Sequence, residues 1–195
     1  MSQNIEIEFK NMLTKKEYER LLKEFNIDET QIFSQENHYF DTPDFALKSL
    51  GAALRIRKKD GAYEMTLKQP AAVGLLETNQ NLTADETSLA VKLGSLPDGI
   101  VQKLIEENGI PFSKMEYFGS LVTHRVEIDY KNGVLVFDHS SYLGMEDYEL
   151  EYEVEDYQAG LKFFKDLLAQ FMIPERKTEN KIHRFYYQKF KQYEI

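Results

Sequence analysis

Apolar residues alternate with charged ones along much of this chain. As a strand, Ile5-Glu6-Ile7-Glu8-Phe9-Lys10 places Ile5, Ile7 and Phe9 on one face and Glu6, Glu8 and Lys10 on the other. Gly51 to Lys59 repeats the arrangement, with Ala53, Arg55, Arg57 and Lys59 set against Leu54 and Ile56. Asp60-Gly61 predicts a hairpin, and the return strand, Tyr63 to Gln69, sets Glu64, Thr66 and Lys68 against Met65 and Leu67. Residues 31–40 read as a strand ending in His38-Tyr39-Phe40-Asp41-Thr42, and residues 74–82 as a strand carrying Glu77. Residues 116–130 face Leu121, Thr123, Arg125, Glu127 and Asp129 one way, and Asn132-Gly133 predicts a tight turn into a strand over residues 134–138. Tyr148 to Glu155 alternates strictly, Tyr148, Leu150, Tyr152 and Val154 against Glu149, Glu151, Glu153 and Glu155.

Between these strands the period changes to that of a helix. Thr14 and Glu17 have capping-box spacing, and Tyr18, Leu21, Leu22 and Phe25 form an apolar stripe over residues 14–25, expected to cover Ile5, Ile7 and Phe9. Pro43 opens a short helical element over 43–49. Thr83 and Glu86 form a second capping box, and a further short helix runs from Pro97-Asp98 to Gly109. Residues 157–171 and 178–193 are helical by period, the latter carrying Lys181 and Arg184 one turn apart. Many antiparallel strands joined by hairpins favour an α+β fold built on a barrel or strongly curved sheet. With its charged faces turned inward, a barrel encloses a polar lumen and needs helices over its aliphatic outside. With no tandem repeat or linker, residues 1–195 read as a single domain.

Composition narrows the function. The 195 residues carry a net charge of −9, against nucleic-acid binding by overall electrostatics. Without cysteine there is no thiolate metal site, disulfide or cysteine nucleophile. With neither a signal-peptide layout nor an apolar run of membrane-spanning length, a cytoplasmic protein that engages no membrane is expected. The lumen would hold an acidic set (Glu6, Glu8, Asp138, Glu149, Glu151, with Glu153 a further candidate) and a basic set (Lys10, Arg55, Arg57, Lys68, Arg125, Lys181, Arg184). Neither can be buried alone. Direct salt bridges would balance them. So would a ligand in which Mg²⁺ or Mn²⁺, held by the carboxylates, shares a polyphosphate with the cations. The chemistry implied is attack of a metal-activated water on a terminal phosphoryl group.

The ordered set resembles the CYTH superfamily, the triphosphate tunnel metalloenzymes, which includes class IV adenylyl cyclases and thiamine and inorganic triphosphatases. Glu6, Glu8 and Lys10 match its Glu-x-Glu-x-Lys signature. Tyr39-Phe40-Asp41-Thr42, Arg55-x-Arg57, Lys68, Arg125, Asp138, Glu149-x-Glu151 and Lys181-x-x-Arg184 follow in the family's order. The resemblance implies an eight-stranded antiparallel β-barrel, or tunnel, with flanking helices. It implies Glu6, Glu8, Asp138, Glu149 and Glu151 as ligands of Mg²⁺ or Mn²⁺. It implies Lys10, Arg55, Arg57, Lys68, Arg125, Lys181 and Arg184 as the grip on a small-molecule triphosphate, with Glu6, Glu8, Lys10, Arg55 and Arg57 central to catalysis. A metal-dependent triphosphate hydrolase is the reading it favours. Cyclisation of ATP and non-catalytic polyphosphate or nucleotide sensing are the alternatives, and no protein partner is implied.

Overall fold

A computed structural model describes residues 2–191. Its eight strands form a closed antiparallel barrel in the order β1-β5-β4-β3-β2-β6-β7-β8. They are β1 (Ser2–Leu13), β2 (Phe33–Asp41), β3 (Ala53–Lys59), β4 (Ala62–Pro70), β5 (Leu75–Leu82), β6 (Glu116–Tyr130), β7 (Gly133–Tyr142) and β8 (Met145–Val154). The helices are α1 (Lys15–Glu24), α2 (Ala46–Ser49), α3 (Ala84–Leu93), α4 (Ile100–Glu107), α5 (Tyr157–Gln170) and α6 (Lys181–Lys191). The expected end of α6 at Tyr193 lies outside the described residues.

Both capping boxes form: Thr14 and Glu17 cap α1, and Thr83 and Glu86 cap α3, each hydroxyl accepting from the N3 amide while the glutamate accepts from the cap residue's own amide.

The chain divides into two compact units. Among the described residues, one comprises residues 2–5 with Gln35–Leu121, the other Glu6–Ser34 with residues 122–191. In the first, Leu54, Ile56, Met65 and Leu67 leave the outer face of β3 and β4 and are buried with Leu47 of α2, Ala90 of α3, and Val101 and Ile105 of α4. In the second, Leu135, Phe137, Leu150 and Tyr152 of β7 and β8 are buried with Tyr18 and Leu21 of α1 and Phe164, Leu167 and Leu168 of α5. Each unit therefore buries the apolar half of the alternation and leaves the charged half on the opposite, inner face.

Three local expectations change. The α1 stripe does not cover Phe9: Tyr18 packs on Tyr148, with ring centroids 5.0 Å apart, and Phe25 on Phe137 at 5.5 Å. Phe9 meets Tyr157 and Phe164 of α5 instead, at 5.2 and 6.1 Å. Second, the β6–β7 turn centres on Lys131-Asn132, because Tyr130 pairs with Gly133. Gly133 is needed for clearance: a Cβ there would lie 2.4 Å from the Glu153 carbonyl oxygen. Third, β7 and β8 extend past their expected ends to a two-residue turn at Leu143-Gly144, with φ of 47° and 74°. Leucine in the left-handed region is uncommon, so the sequence carries no Asn-Gly or Asp-Gly signal there.

Candidate functional site

The inner face of the second unit is a network of ions. Asp138 on β7 and Glu149 and Glu151 on β8 are buried, and Asp138 pairs directly with Glu149 in the register. The Lys181 ammonium, on the first residue of α6, lies 2.8 Å from Asp138 Oδ2, 2.7 Å from Glu149 Oε2 and 2.5 Å from Glu151 Oε1. Arg125 donates from Nε to Asp138 Oδ1 at 2.7 Å and from Nη2 to Asp138 Oδ2 and Glu151 Oε2 at 2.6 and 2.8 Å. Arg184 donates to Glu149 at 2.7 Å and to Asp147 at 2.9 Å. Lys10 donates to Glu8 at 2.5 Å and to Asn180 at 3.2 Å. Nearly all the residues expected in this half of the site are thus in one cluster, with Glu6 one alternation before Glu8 on the same face of β1.

The protonation states follow from this packing. Burial alone would push the Glu151 carboxyl up, but Lys181, Arg125 and Lys10 together hold it well below the usual carboxylate range. For Lys181, burial disfavours the charge, yet Asp138, Glu149 and Glu151 outweigh it and the ammonium is held well above its ordinary range. Arg125 and Arg184 are raised in the same way by their carboxylates. Glu153 behaves oppositely. Burial, with Glu151, Glu6 and Glu8 nearby, pushes its carboxyl up to about 7 despite the pull of Arg125.

The first unit carries the cations of β3 and β4. Lys68 lies 2.6 Å and Arg55 3.9 Å from Glu77, which faces Lys68 in the β4–β5 register. Burial would raise the Glu77 carboxyl, but Lys68 and Arg55 keep it below its usual range. Arg57 donates from Nε to Asn37 at 3.2 Å. Arg55 Nε is buried without a hydrogen-bond partner.

Of the residues around Tyr39-Phe40-Asp41-Thr42, Phe40 belongs to the apolar core. The buried Asp41 carboxylate accepts from the amides of Thr42, Leu47 and Lys48 at 2.8, 2.9 and 3.1 Å, which shapes the connection into α2. This landmark builds a loop. His139 faces away from Asp138 by alternation and stacks on Tyr148, with centroids 4.6 Å apart. It therefore sits on the helix-covered side with Tyr18, 6.3 Å away.

The contacts that fix α6 join segments far apart along the chain. Arg176 donates to the Met12 carbonyl at 2.8 Å and to both oxygens of Glu17 at 2.9 Å, and Thr178 accepts from the Met12 amide at 3.0 Å. Asp147, which orients Arg184, also accepts from the Tyr142 hydroxyl at 2.8 Å. Local sequence pattern carries no signal for such pairings.

The donor chemistry suits a hard divalent cation, since the buried ligands are all carboxylate oxygens and Glu149 Oε1 has no hydrogen-bond partner. Yet among the described residues no group of three or more His, Asp or Glu side chains stands ready to hold a metal ion. The chain's own Lys181 ammonium lies among Asp138, Glu149 and Glu151.

A closed barrel whose inner face carries buried ions defines a narrow class of protein, and residues 4–186 match the CYTH domain model. The chain belongs to the CYTH domain family. It is 50% identical over 191 residues to "Putative triphosphatase YjbK" of Bacillus subtilis (strain 168), covering 98% of this chain and 99% of that protein. The crystal structure of a Bacillus halodurans protein described as a "putative adenylate cyclase" is 44% identical, with a TM-score of 0.92, over 95% of this chain and 100% of that one. HpAC1 from Hippeastrum, described as having "a dominant triphophatase activity", shares the fold at 22% identity and a TM-score of 0.77, over 93% of this chain and 95% of that one. No helix among the described residues is long and apolar enough to cross a membrane.

Proposed function

We propose that this protein hydrolyses a small-molecule triphosphate, inorganic or organic, with the help of Mg²⁺ or Mn²⁺. The observation that carries the reading is a pair of buried polar atoms left unsatisfied in opposite senses. Arg55 offers a guanidinium N–H with no acceptor, and Glu149 offers a carboxylate oxygen with no donor. The first suits a phosphate oxygen and the second a hard cation. The triphosphatase description of the 50% identical Bacillus subtilis relative supports it.

In this reading Glu6, Glu8, Asp138, Glu149 and Glu151 hold the cation. When bound, it would supply neutralisation of phosphate charge and lower the pKa of a coordinated water. Lys10, Arg55, Arg57, Lys68, Arg125, Lys181 and Arg184 hold the phosphate oxygens. Their fixed positive charge matters most at the transition state, where negative charge spreads over the oxygens of the transferring phosphoryl group. The water oxygen bonds to the terminal phosphorus as the bridging P–O bond breaks, the water's proton passes to solvent, and the diphosphate, free or esterified, leaves with the electron pair.

The test is phosphate release from tripolyphosphate, ATP and thiamine triphosphate, each with Mg²⁺ and with Mn²⁺. Release from at least one is expected, and none from any combination overturns the hydrolase. Glu8→Gln should lower metal-dependent turnover while the fold, followed by circular dichroism, persists; wild-type turnover would remove Glu8 from the site. The description of the Bacillus halodurans relative favours a second reading, cyclisation of ATP, for which cyclic AMP would be the product.

A further inference from the structure

We infer that Lys181 is a tethered counter-ion that occupies the divalent-cation position among Asp138, Glu149 and Glu151, and that it must leave before metal can bind there. This rests on the cation site of the reading above and adds a control on how that site fills. An ammonium has three N–H donors, and here each is within hydrogen-bond distance of a different carboxylate: Asp138 at 2.8 Å, Glu149 at 2.7 Å and Glu151 at 2.5 Å. Three carboxylates converging on one small cation is also how oxygen ligands surround Mg²⁺ or Mn²⁺. One position cannot hold both.

The surroundings permit the exchange. Arg125 grips both oxygens of Asp138 and the Oε2 of Glu151, and Arg184 grips Glu149, so the carboxylates stay in place without Lys181. The segment leading into α6 is pinned before the lysine, by Arg176 to Glu17 and the Met12 carbonyl, and by Thr178 to the Met12 amide. Lys181 can therefore swing from its carboxylates on its own flexible stem while Arg176 and Thr178 hold the chain. Once released, its ammonium is available to an anion.

The test measures metal binding without substrate. Mn²⁺ is titrated by calorimetry into the wild type, Lys181→Met, Lys181→Arg and Lys177→Met, which removes an exposed positive charge elsewhere. Removing the competing ammonium should tighten Mn²⁺ binding by about tenfold or more in Lys181→Met, with Lys177→Met close to the wild type. Lys181→Arg, which keeps the charge, should not show the gain. Mn²⁺ should also raise the melting temperature of Lys181→Met more than that of the wild type, a reading that survives if the metal-free variant is weakly folded. Equal or weaker Mn²⁺ binding by Lys181→Met overturns the inference. Phosphate release by the wild type then reports separately on the hydrolase.

Discussion

The two units solve the same electrostatic problem differently. In the second, Asp138, Glu149 and Glu151 are matched by Lys181, Arg125 and Arg184 at 2.5 to 2.8 Å, so buried charge is neutralised by buried charge. In the first, Lys68 lies 2.6 Å from Glu77 and Arg55 at the looser distance of 3.9 Å, and the Arg55 Nε is unsatisfied. A densely paired ion network is a structural asset as well as a site, because removing one partner strands another charge away from water. A loosely held guanidinium such as that of Arg55 is less costly to disturb and better prepared to receive an outside anion. The second unit should therefore register mutations as lost stability, and the first as lost binding.

The largest effect should come from Arg125→Ala. It leaves Asp138 and Glu151 partly uncompensated and should cost about 3–5 kcal/mol, a fall of about 10 °C in melting temperature. Arg55→Ala should change stability by less than about 1 kcal/mol while raising KM for the triphosphate about 10- to 100-fold. If calorimetry shows the two arginines equally important for stability, the contrast between the units fails. Gly133→Ala should follow, at about 1–3 kcal/mol, because the added Cβ meets backbone and not a yielding side chain.

The smallest effect concerns pH. The Glu153 carboxyl is raised in the folded protein to about 7 from 4.5, by burial and by Glu151, Glu6 and Glu8 against the opposing pull of Arg125. The folded state therefore holds this proton more tightly than the unfolded chain. Its contribution to stability is present below the unfolded value and is lost as pH rises through about 7. Glu153→Gln should flatten that part of the melting profile between about pH 5 and pH 8. An unchanged slope would show that Glu153 is ordinary.

The inverted face of β1 was legible because a strand's period of two is a local property: Glu6, Glu8 and Lys10 could be grouped without knowing any partner. Arg55, Arg57 and Lys68 were legible for the same reason. The Leu143-Gly144 turn was not, because leucine there obeys tertiary demand against its own preference. Asp147, Asn180 and the Arg176–Glu17 pair were hidden because their meaning lies in contacts between distant segments. The covering of Phe9 by α5 in place of α1 is a failure of the same kind. An apolar stripe says that a helix packs, not which strand it packs on. Nor does the sequence say that the carboxylates bind Lys181, since an acidic face and a basic helix residue are compatible with either a salt bridge or a ligand.

The pairing of β1 with β8 matches Ile7 with Val154 and Leu13 with Tyr148, the first strand of the barrel with the last. On the ribosome, the strand bearing Glu6, Glu8 and Lys10 is made before the other seven strands of the barrel and finds its neighbour β8 only after all of them have emerged. Such long-range closure is slow and leaves an early strand unpaired for the longest time. The strand with the inverted ionic face is thus also the barrel strand most in need of protection while the protein is being synthesised.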